Sequence, residues 1–495
     1  MSVNLGQRSL NGLEQDDEQF VGELPALHAV SQSDPELPVV NEVLPIERRL
    51  KKGAAWVLLA RTSGIGVTML CNIALARWLA PDAFGSFLLL SSLLALGAML
   101  AMLGLNAAVI RFVSHSLGEG DFDAARQALR MIITVAVVGI TAVSGLTAIV
   151  LSYTDTGFLG LPSAPLLIPL VIAGLACLAL LQFIAEAFRS LHGLRLASLF
   201  SGGQTGGLLS NVLFLVILAV AIVAIQPSFL TAVGLYVATL AICLPFAAFG
   251  LVSAVRANLG AAGRQPHRPV LTVRQLLAFS IPMLLIQLLT FATTQSDLWI
   301  AGICCPHDQL ALYGSARRLM LVVTMPLQMA NLTVISSIAE LYGQQRINDL
   351  ERVLRGASSV AAWPSICAII LLIFAGAPIL DLLFGPYFRQ AAVPLGILGM
   401  GQLFLVCAGG CGCALEMTGH QLGSLVINFV AAVAMAVVGT LAARQFGILG
   451  LSVASSVIIA AQSIALWLLA KKLVGVWTHP SLWPSFALEG APAKQ

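Results

Sequence analysis

Long runs of apolar residues, separated by short polar segments, follow one another along most of this chain of 495 residues. A run of about 20 apolar residues can cross a bilayer as an α-helix, and a helix satisfies its own backbone hydrogen bonds there. The pattern therefore predicts an all-α polytopic membrane protein of about twelve transmembrane helices. The predicted spans fall at about residues 54–79, 86–110, 129–152, 164–187, 196–225, 230–254, 275–303, 311–339, 357–384, 391–416, 421–442 and 447–470.

Positive residues concentrate in alternate loops between these spans. Eighteen Lys and Arg residues lie on one side of the membrane and at most five on the other. Because Lys and Arg are enriched in cytoplasmic loops, the alternation predicts an even number of spans with both termini in the cytoplasm (N-in, C-in). The eighteen are Arg48, Arg49, Lys51, Lys52, Arg111, Arg126, Arg130, Arg189, Arg195, Arg256, Arg264, Arg268, Arg274, Arg346, Arg352, Arg355, Lys471 and Lys472.

The composition agrees with a membrane protein and excludes a soluble enzyme. Charged residues make up 10% of the chain and apolar residues 58%, whereas a soluble domain carries roughly 25% charged residues. Residues 1–46 differ, with eight acidic residues against the single basic Arg8, and are predicted to be a disordered cytoplasmic tail. The predicted organisation is completed by an N-terminal six-helix lobe at 47–255, a basic linker at 256–274, a C-terminal six-helix lobe at 275–472 and a cytoplasmic tail at 473–495.

The two lobes carry signs of an internal repeat. Pro81 and Pro306 lie 225 residues apart, each in the external loop after the first span of its half, and Gly118 matches Gly343 at the same offset. Even span numbers give the two repeats one orientation, an arrangement found in transporters. After the second span of each half, apolar residues at helical spacing from Phe122 and from Ile347 predict short amphipathic helices on the cytoplasmic surface.

Polar residues inside the apolar spans are candidates for a functional site, because a polar group in lipid is costly unless it has a partner or lines a cavity. In the first span, Arg61, Thr68 and Asn72 lie on one helix face together with Gly64. These residues could line a central cleft or could hydrogen-bond helix to helix. Arg61 could also extend towards the headgroups, since it lies near the cytoplasmic start of its span.

The first two spans of the second half carry a similar stripe. Gln287, Thr294 and Asp297 lie at helical spacing in span seven, and span eight contributes Arg317 and Arg318, of which one is expected to face inwards. Span eight also carries Thr324, Gln328 and Asn331. Asp297 could form an ion pair with Arg317 or Arg61, or it could bind a coupling cation.

Several enzymatic signatures are absent from the sequence. It contains no phosphate-binding loop and no H-E-x-x-H motif, so we expect no cofactor, no metal and no catalytic residue. Glycine pairs within spans, such as Gly202-Gly203 and Gly409-Gly410, favour close packing or helix breaks over nucleotide binding. The external loops are short, which argues against a polymerase.

Four stretches of sequence resemble a known family. They are Lys51-Lys52-Gly-Ala-Ala-Trp, the run from Asn72 to Gly85, and Gly104-Leu-Asn-Ala-Ala-Val-Ile-Arg111-Phe, together with Ala311-Leu-Tyr313-Gly-Ser-Ala before Pro326. They resemble the Wzx-like oligosaccharide flippases, which are polysaccharide-biosynthesis transporters of the multidrug/oligosaccharidyl-lipid/polysaccharide exporter superfamily. The resemblance covers roughly residues 48–472.

The resemblance implies a MATE-like fold and a flippase that moves a polyprenyl-pyrophosphate-linked oligosaccharide across the bacterial inner membrane by alternating access. Exopolysaccharide, capsule or O-antigen export would be its pathway, with membrane lipids around it, a polymerase and a chain-length regulator as partners, and no nucleic acid. Substrate contacts are expected at Arg61, Thr68, Asn72, Gln287, Thr294, Arg317 and Arg318, and ion coupling at Asp297.

Two other functions remain open from the sequence. The first is a multidrug-type cation-coupled antiporter of the same superfamily, in which Asp297 would bind a proton or a sodium ion. The second is a membrane glycosyltransferase or polymerase, which the short external loops disfavour.

Overall fold

The computed structural model describes residues 46–118, 121–153, 166–191, 193–200, 207–259 and 271–481, with side chains from Leu59 onwards. The predicted acidic tail lies almost entirely outside these ranges, and the residues from Leu50 onwards group into one compact unit. The described helices are α1 (Ile46–Trp78), α2 (Pro81–Ala101), α3 (Leu105–Gly118), α4 (Phe122–Tyr153), α5 (Leu167–Ser190), α6 (Leu194–Phe200), α7 (Leu208–Ala224), α8 (Phe229–Leu259), α9 (Val273–Cys304), α10 (His307–Gly343), α11 (Ile347–Phe384), α12 (Ala392–Ala408), α13 (Cys411–Met417), α14 (Gln421–Ala434) and α15 (Thr440–Leu473).

The fold is that of an all-helical, multi-pass membrane protein. Within the described ranges, ten helical stretches are long and apolar enough to cross a membrane. Helix α7 is apolar but shorter, and it corresponds to the fifth predicted span. The stretch Gln421–Leu473 is interrupted at Gly447, whose φ of +61° is not helical. The count of twelve and the N-in, C-in orientation stay predictions.

The break at Gly447 turns the last two segments back against each other. Gln462 Nε2 in α15 donates a hydrogen bond of 2.8 Å to Asn428 Oδ1 in α14. A five-residue π-helical turn, Met435–Gly439, joins the two helices before the break. The sequence placed separate spans at 421–442 and 447–470, and the structure agrees because only a residue without a Cβ tolerates that backbone angle easily.

The second predicted span, 86–110, is divided in the structure. Helix α2 ends at Ala101, Leu103 and Gly104 have positive φ angles of 48° and 76°, and α3 begins at Leu105. Gly104 also lies directly against α9, because a Cβ there would come within 2.1 Å of the Ser280 carbonyl oxygen. The apolar run continues through this turn, so hydrophobicity alone did not indicate the break.

The prediction of two short amphipathic surface helices was wrong. The residues from Phe122 and from Ile347 form the first turns of the long helices α4 and α11, without interruption. Their apolar faces are buried, with Leu129 at 4% exposure and Leu350 at 0%. The amphipathic pattern therefore reflects burial against neighbouring helices. The sequence had predicted that it reflected a position on the cytoplasmic surface.

The glycine pair in the tenth predicted span does mark a helix break. Helix α12 ends at Ala408, Gly409 has a φ of +70°, and α13 starts at Cys411. The break frees the Ala408 carbonyl, which accepts a hydrogen bond of 2.6 Å from Thr478 Oγ1. Gly202-Gly203, the other pair that the sequence suggested as a break, lies outside the described residues.

The first and second halves of the chain meet along α2 and α10. Gly85 of α2 lies against the start of α10, where a Cβ would come within 2.2 Å of the His307 carbonyl oxygen. Small residues allow membrane helices to approach this closely. Phe84 and Tyr313, the large side chains beside this contact, are fully buried. This core holds α9 and α10 at a fixed position beside the site described next.

Candidate functional site

A cavity of about 430 Å³, lined by both polar and apolar side chains, lies among the helices of the second half. Its walls come from α9, α10, α12, α13, α14 and α15. The volume falls in the range of roughly 300–1,000 Å³ typical of small-molecule sites. Its polar lining residues are Thr293, Thr294, Ser296, Asp297, Arg317, Thr324, Gln328, Asn331, Gln402, Ser455, Gln462 and Ser463.

An ion pair lies in the wall of this cavity. Arg317 Nε is 2.7 Å from Asp297 Oδ2, and the two side chains are 22% and 13% exposed. Tyr313 donates a hydrogen bond of 2.9 Å to the same oxygen, while the Leu298 backbone N–H donates to Asp297 Oδ1 at 2.8 Å. Arg317 Nη1 also donates to Gln295 Oε1 at 3.1 Å. Both carboxylate oxygens of Asp297 are therefore engaged in this conformation.

Helix geometry explains how α9 and α10 build this group. Asp297 lies two turns before the end of α9 and Tyr313 two turns into α10, so the short connection at Cys305–Pro306 brings them together. Tyr313 and Arg317 are four residues apart and so share one face of α10. Of the two pairings that the sequence left open, the structure has Asp297 with Arg317 and not with Arg61.

The side chain of Arg318 leaves α10 in a different direction from that of Arg317, since consecutive side chains on a helix point about 100° apart. It is half-buried, and no acidic side chain among the described residues forms an ion pair with it. The groups that act on it electrostatically are Arg317 and Tyr236 of α8. Arg318 therefore lies near α8 of the first half, and no ion pair among the described residues neutralises its charge.

The polar residues of α1 form hydrogen bonds within α1 and to α7, which belongs to the same half of the chain. Thr68 Oγ1 accepts a hydrogen bond of 2.8 Å from Asn211 Nδ2 of α7, and buried Asn72 donates to the Thr68 carbonyl at 2.7 Å. Arg61 is exposed, and the charge that acts on it is a second arginine, Arg189 of α5. One turn of α1 also reaches the second half, since Thr62 Oγ1 contacts Met329 Sδ of α10 at 3.7 Å.

Three of the eight residues predicted as binding or coupling residues line the cavity, namely Thr294, Asp297 and Arg317. Gln287 is half-buried in α9 and lies outside the lining, as do Arg61, Thr68, Asn72 and Arg318. Gln402 of α12 and Ser296 of α9 also line the cavity, and neither is among the residues predicted from the sequence. Gln402 is an isolated polar residue in an apolar helix, whereas Ser296 lies in the polar run from Thr293 to Asp297 and is not distinguished within it.

The cavity suits an uncharged polar ligand better than a metal ion. In the ranges that the structure describes, no three His, Cys, Asp or Glu side chains are grouped closely enough to hold a metal. The side chains of Gln402 and Ser296 each bury an oxygen that has no hydrogen-bond partner among the described groups. Such atoms are available to a ligand.

Comparison with models of known protein families identifies the family of this chain. The sequence model of the family described as "Polysaccharide biosynthesis protein" matches residues 50–337, which is more than half of the chain. The chain belongs to the polysaccharide biosynthesis protein family. No curated protein matches its sequence.

Solved structures show that this family member has the fold of MOP-superfamily transporters. An inward-facing multidrug resistance MATE family transporter of that superfamily superposes with a TM-score of 0.65 at 14% identity, covering 85% of this chain and 98% of the other. An outward-facing one gives 0.57 at 16% identity, covering 86% and 96%. The lipid II flippase MurJ in an inward closed conformation gives 0.58 at 12% identity, covering 85% and 87%.

Proposed function

We propose that this protein is a flippase for a polyprenyl-pyrophosphate-linked oligosaccharide. Membership of the polysaccharide biosynthesis protein family supports this function, as does a fold shared with a lipid II flippase. The structural observation that carries the proposal is the contrast between two adjacent arginines, one in the cavity wall and one beside it. Arg317 is neutralised by Asp297, whereas Arg318 lies near α8 of the first half without an acidic partner among the described residues.

An uncompensated arginine inside a membrane is costly, and such residues mark pathways for charged substrates. A guanidinium stays charged and forms paired hydrogen bonds with phosphate oxygens. Arg61 of α1 also lacks an acidic partner among the described residues, and, unlike Arg77 of the same helix, it does not donate to the carbonyls of Leu382 and Leu383. We assign both Arg61 and Arg318 to the pyrophosphate.

The two arginines lie at different depths. Arg61 lies near the predicted cytoplasmic start of span one, at 54–79, whereas Arg318 lies near the predicted external start of span eight, at 311–339. In the proposed mechanism the pyrophosphate binds first near Arg61, on the side predicted to be cytoplasmic, and then near Arg318, while the prenyl chain stays in lipid. The protein would alternate between inward- and outward-open states.

The experiment is flipping in proteoliposomes that contain the full chain. A fluorescent polyprenyl-diphosphate disaccharide is added, and its arrival in the opposite leaflet is followed by quenching. We expect Arg318→Gln to slow flipping at least tenfold and Arg318→Lys to slow it less, because lysine keeps the charge but loses the paired geometry. Arg256→Gln, at an exposed position near the end of α8, is the matched control and should flip at the original rate.

The main alternative is a multidrug-type antiporter in which Asp297 binds a cation. In the described conformation that would require Arg317 to leave, because it already occupies the carboxylate. Cation-driven efflux of a cationic dye from the same vesicles, lost in Asp297→Asn and accompanied by no lipid flipping, would establish the alternative and overturn the flippase.

We place the protein in the bacterial inner membrane with both ends in the cytoplasm, and we expect a polysaccharide polymerase and a chain-length regulator to act on the exported glycan. The distribution of Lys and Arg residues supports the orientation. Reporter fusions at the C-terminus and in the 256–274 linker should both report the cytoplasmic side.

A further inference from the structure

The cavity of the second half carries a set of side-chain amides that the arginine sites do not use. Gln328 and Asn331 of α10, Gln402 of α12 and Gln462 of α15 all line it. An amide offers a carbonyl acceptor and an NH₂ donor from one group. Four amides from three helices therefore surround a space in which a ligand could both donate and accept hydrogen bonds.

The charge of this cavity is balanced. Asp297 and Arg317 are the two charged side chains among its lining residues, and they neutralise each other. A ligand with a net charge would gain little here unless it separated the pair, and removing one partner from a buried pair is strongly unfavourable. The electrostatics of the cavity therefore favour a ligand that is polar and uncharged.

Two buried oxygens without hydrogen-bond partners indicate which polar groups a ligand of this cavity should carry. Gln402 Oε1 and Ser296 Oγ are buried without a partner among the described residues, a state that is costly unless a ligand or water pairs with them. The amide oxygen of Gln402 requires a donor, and a hydroxyl group supplies one while its oxygen can accept from a neighbouring amide. A polyhydroxylated ligand meets both requirements.

The remaining wall is apolar. Met320, Leu398, Met435 and Ile458 line the cavity alongside the amides. A pyranose ring has hydroxyl groups around its edge and C–H groups on its faces, so it presents a surface of each kind.

We propose that this cavity is the subsite for an uncharged sugar unit of the translocated glycan, with Gln402 and Asn331 hydrogen-bonding its hydroxyl groups. This inference rests on the proposed flippase function. Arg317 lines the cavity and Arg318 follows it directly in α10, so the sugar subsite and the proposed pyrophosphate site share one turn of that helix. The cavity thereby selects neutral sugars over acidic ones.

The test compares two lipids in proteoliposomes of the full chain. Both are fluorescent polyprenyl-diphosphate disaccharides, one with two neutral hexoses and one with a terminal uronic acid. The original protein should flip the neutral lipid at least tenfold faster than the acidic one. Gln402→Met and Asn331→Leu, which keep the volume and remove the hydrogen bonds, should each slow the neutral lipid about three- to tenfold. Gln226→Met, at an exposed position between α7 and α8, is the control and should leave both rates unchanged.

The outcomes separate the two proposals. If the original protein flips neither lipid, the flippase function itself fails. If it flips both lipids equally and the two amide variants retain the original rate, the flippase stands and the sugar subsite is overturned. Should either variant fail to insert, the preference of the original protein for the neutral lipid still decides the question, because that comparison needs no substitution.

Discussion

Asp297 Oδ2 accepts the guanidinium Nε of Arg317 at 2.7 Å, and this ion pair joins α9 to α10 inside the predicted membrane region. The same oxygen accepts from Tyr313, so one carboxylate holds two residues of α10 in place. Arg317, neutralised in this way, fixes the cavity wall, and under the proposed function it is the neighbouring Arg318 that binds the charge of the substrate.

The first prediction concerns this pair. Asp297→Asn leaves Arg317 without its counter-charge, and removal of one partner from a fully buried pair costs roughly 3–5 kcal/mol. Because the side chains are 13% and 22% exposed, we expect about 2–3 kcal/mol here. Thermal unfolding in detergent measures the loss.

The double variant Asp297→Asn/Arg317→Gln provides the control. It removes both charges, so it should recover most of the stability lost in Asp297→Asn. Equal or greater instability in the double variant would show that the pair is not an independent ion pair.

The second prediction concerns Gly104, at the turn between α2 and α3. Gly104→Ala must adopt a φ of +76° and bring a Cβ within 2.1 Å of the Ser280 carbonyl oxygen. The left-handed angle alone costs about 1–2 kcal/mol, and the overlap adds to it. We expect a strong loss of folded protein in the membrane fraction.

Gly64→Ala in α1 is the matched control. A Cβ at Gly64 meets no atom within 4 Å, and alanine is favoured over glycine in a helix by about 1 kcal/mol. Its yield should equal or exceed that of the original protein, and similar losses in both variants would show that the turn at Gly104 is not tightly packed.

The third prediction separates packing from binding at Thr68. Asn211 Nδ2 donates to Thr68 Oγ1 at 2.8 Å, and such interhelical bonds contribute about 0.6 kcal/mol on average and up to roughly 1.7 in membranes. We expect Asn211→Ala and Thr68→Val each to lose about 1 kcal/mol, with flipping reduced only in proportion to folded protein.

A double-mutant cycle tests the assignment. The two substitutions together should cost little more than one alone, because they remove the same bond. A fall in the flipping rate of Thr68→Val far beyond its loss of stability would restore Thr68 as a substrate contact, as the sequence analysis proposed.

The helices of this fold could be predicted from sequence because length and hydrophobicity determine them. The break at Gly104 could not, since Leu103 and Leu105 continue the apolar run on either side of it and the turn is set by contact with Ser280 in a distant helix. Nor could the sequence decide which of Arg317 and Arg318 is paired, because that depends on the angle at which α10 meets α9. Gln402 is a single amide in an apolar helix, and only the assembled cavity shows that its oxygen lacks a partner.

The last prediction concerns pH and the segment after α15. His479 packs against the rings of Trp467 and Trp477, at 5.8 and 5.7 Å between centroids. Burial, and then the positive charge of Arg355, lower the pKa of His479 below its usual range, against a smaller opposing effect of Glu351. The unfolded chain therefore takes up this proton more readily than the folded protein. The contribution of His479 to stability is complete above about pH 6.5. It is lost as the pH falls from there through the lowered pKa of the folded state.

The measurement is the unfolding midpoint in detergent between pH 8 and pH 5, for the original protein and for His479→Gln. The segment is held to the helices by bonds that do not titrate in this range, such as that from Thr478 Oγ1 to the Ala408 carbonyl, so the variant should keep its fold. We expect the original protein to lose stability relative to His479→Gln as the pH falls below about 6.5. A difference between the two proteins that stays constant, or that grows in favour of the original protein towards pH 5, would show that His479 is protonated at least as easily in the folded state as in the unfolded chain.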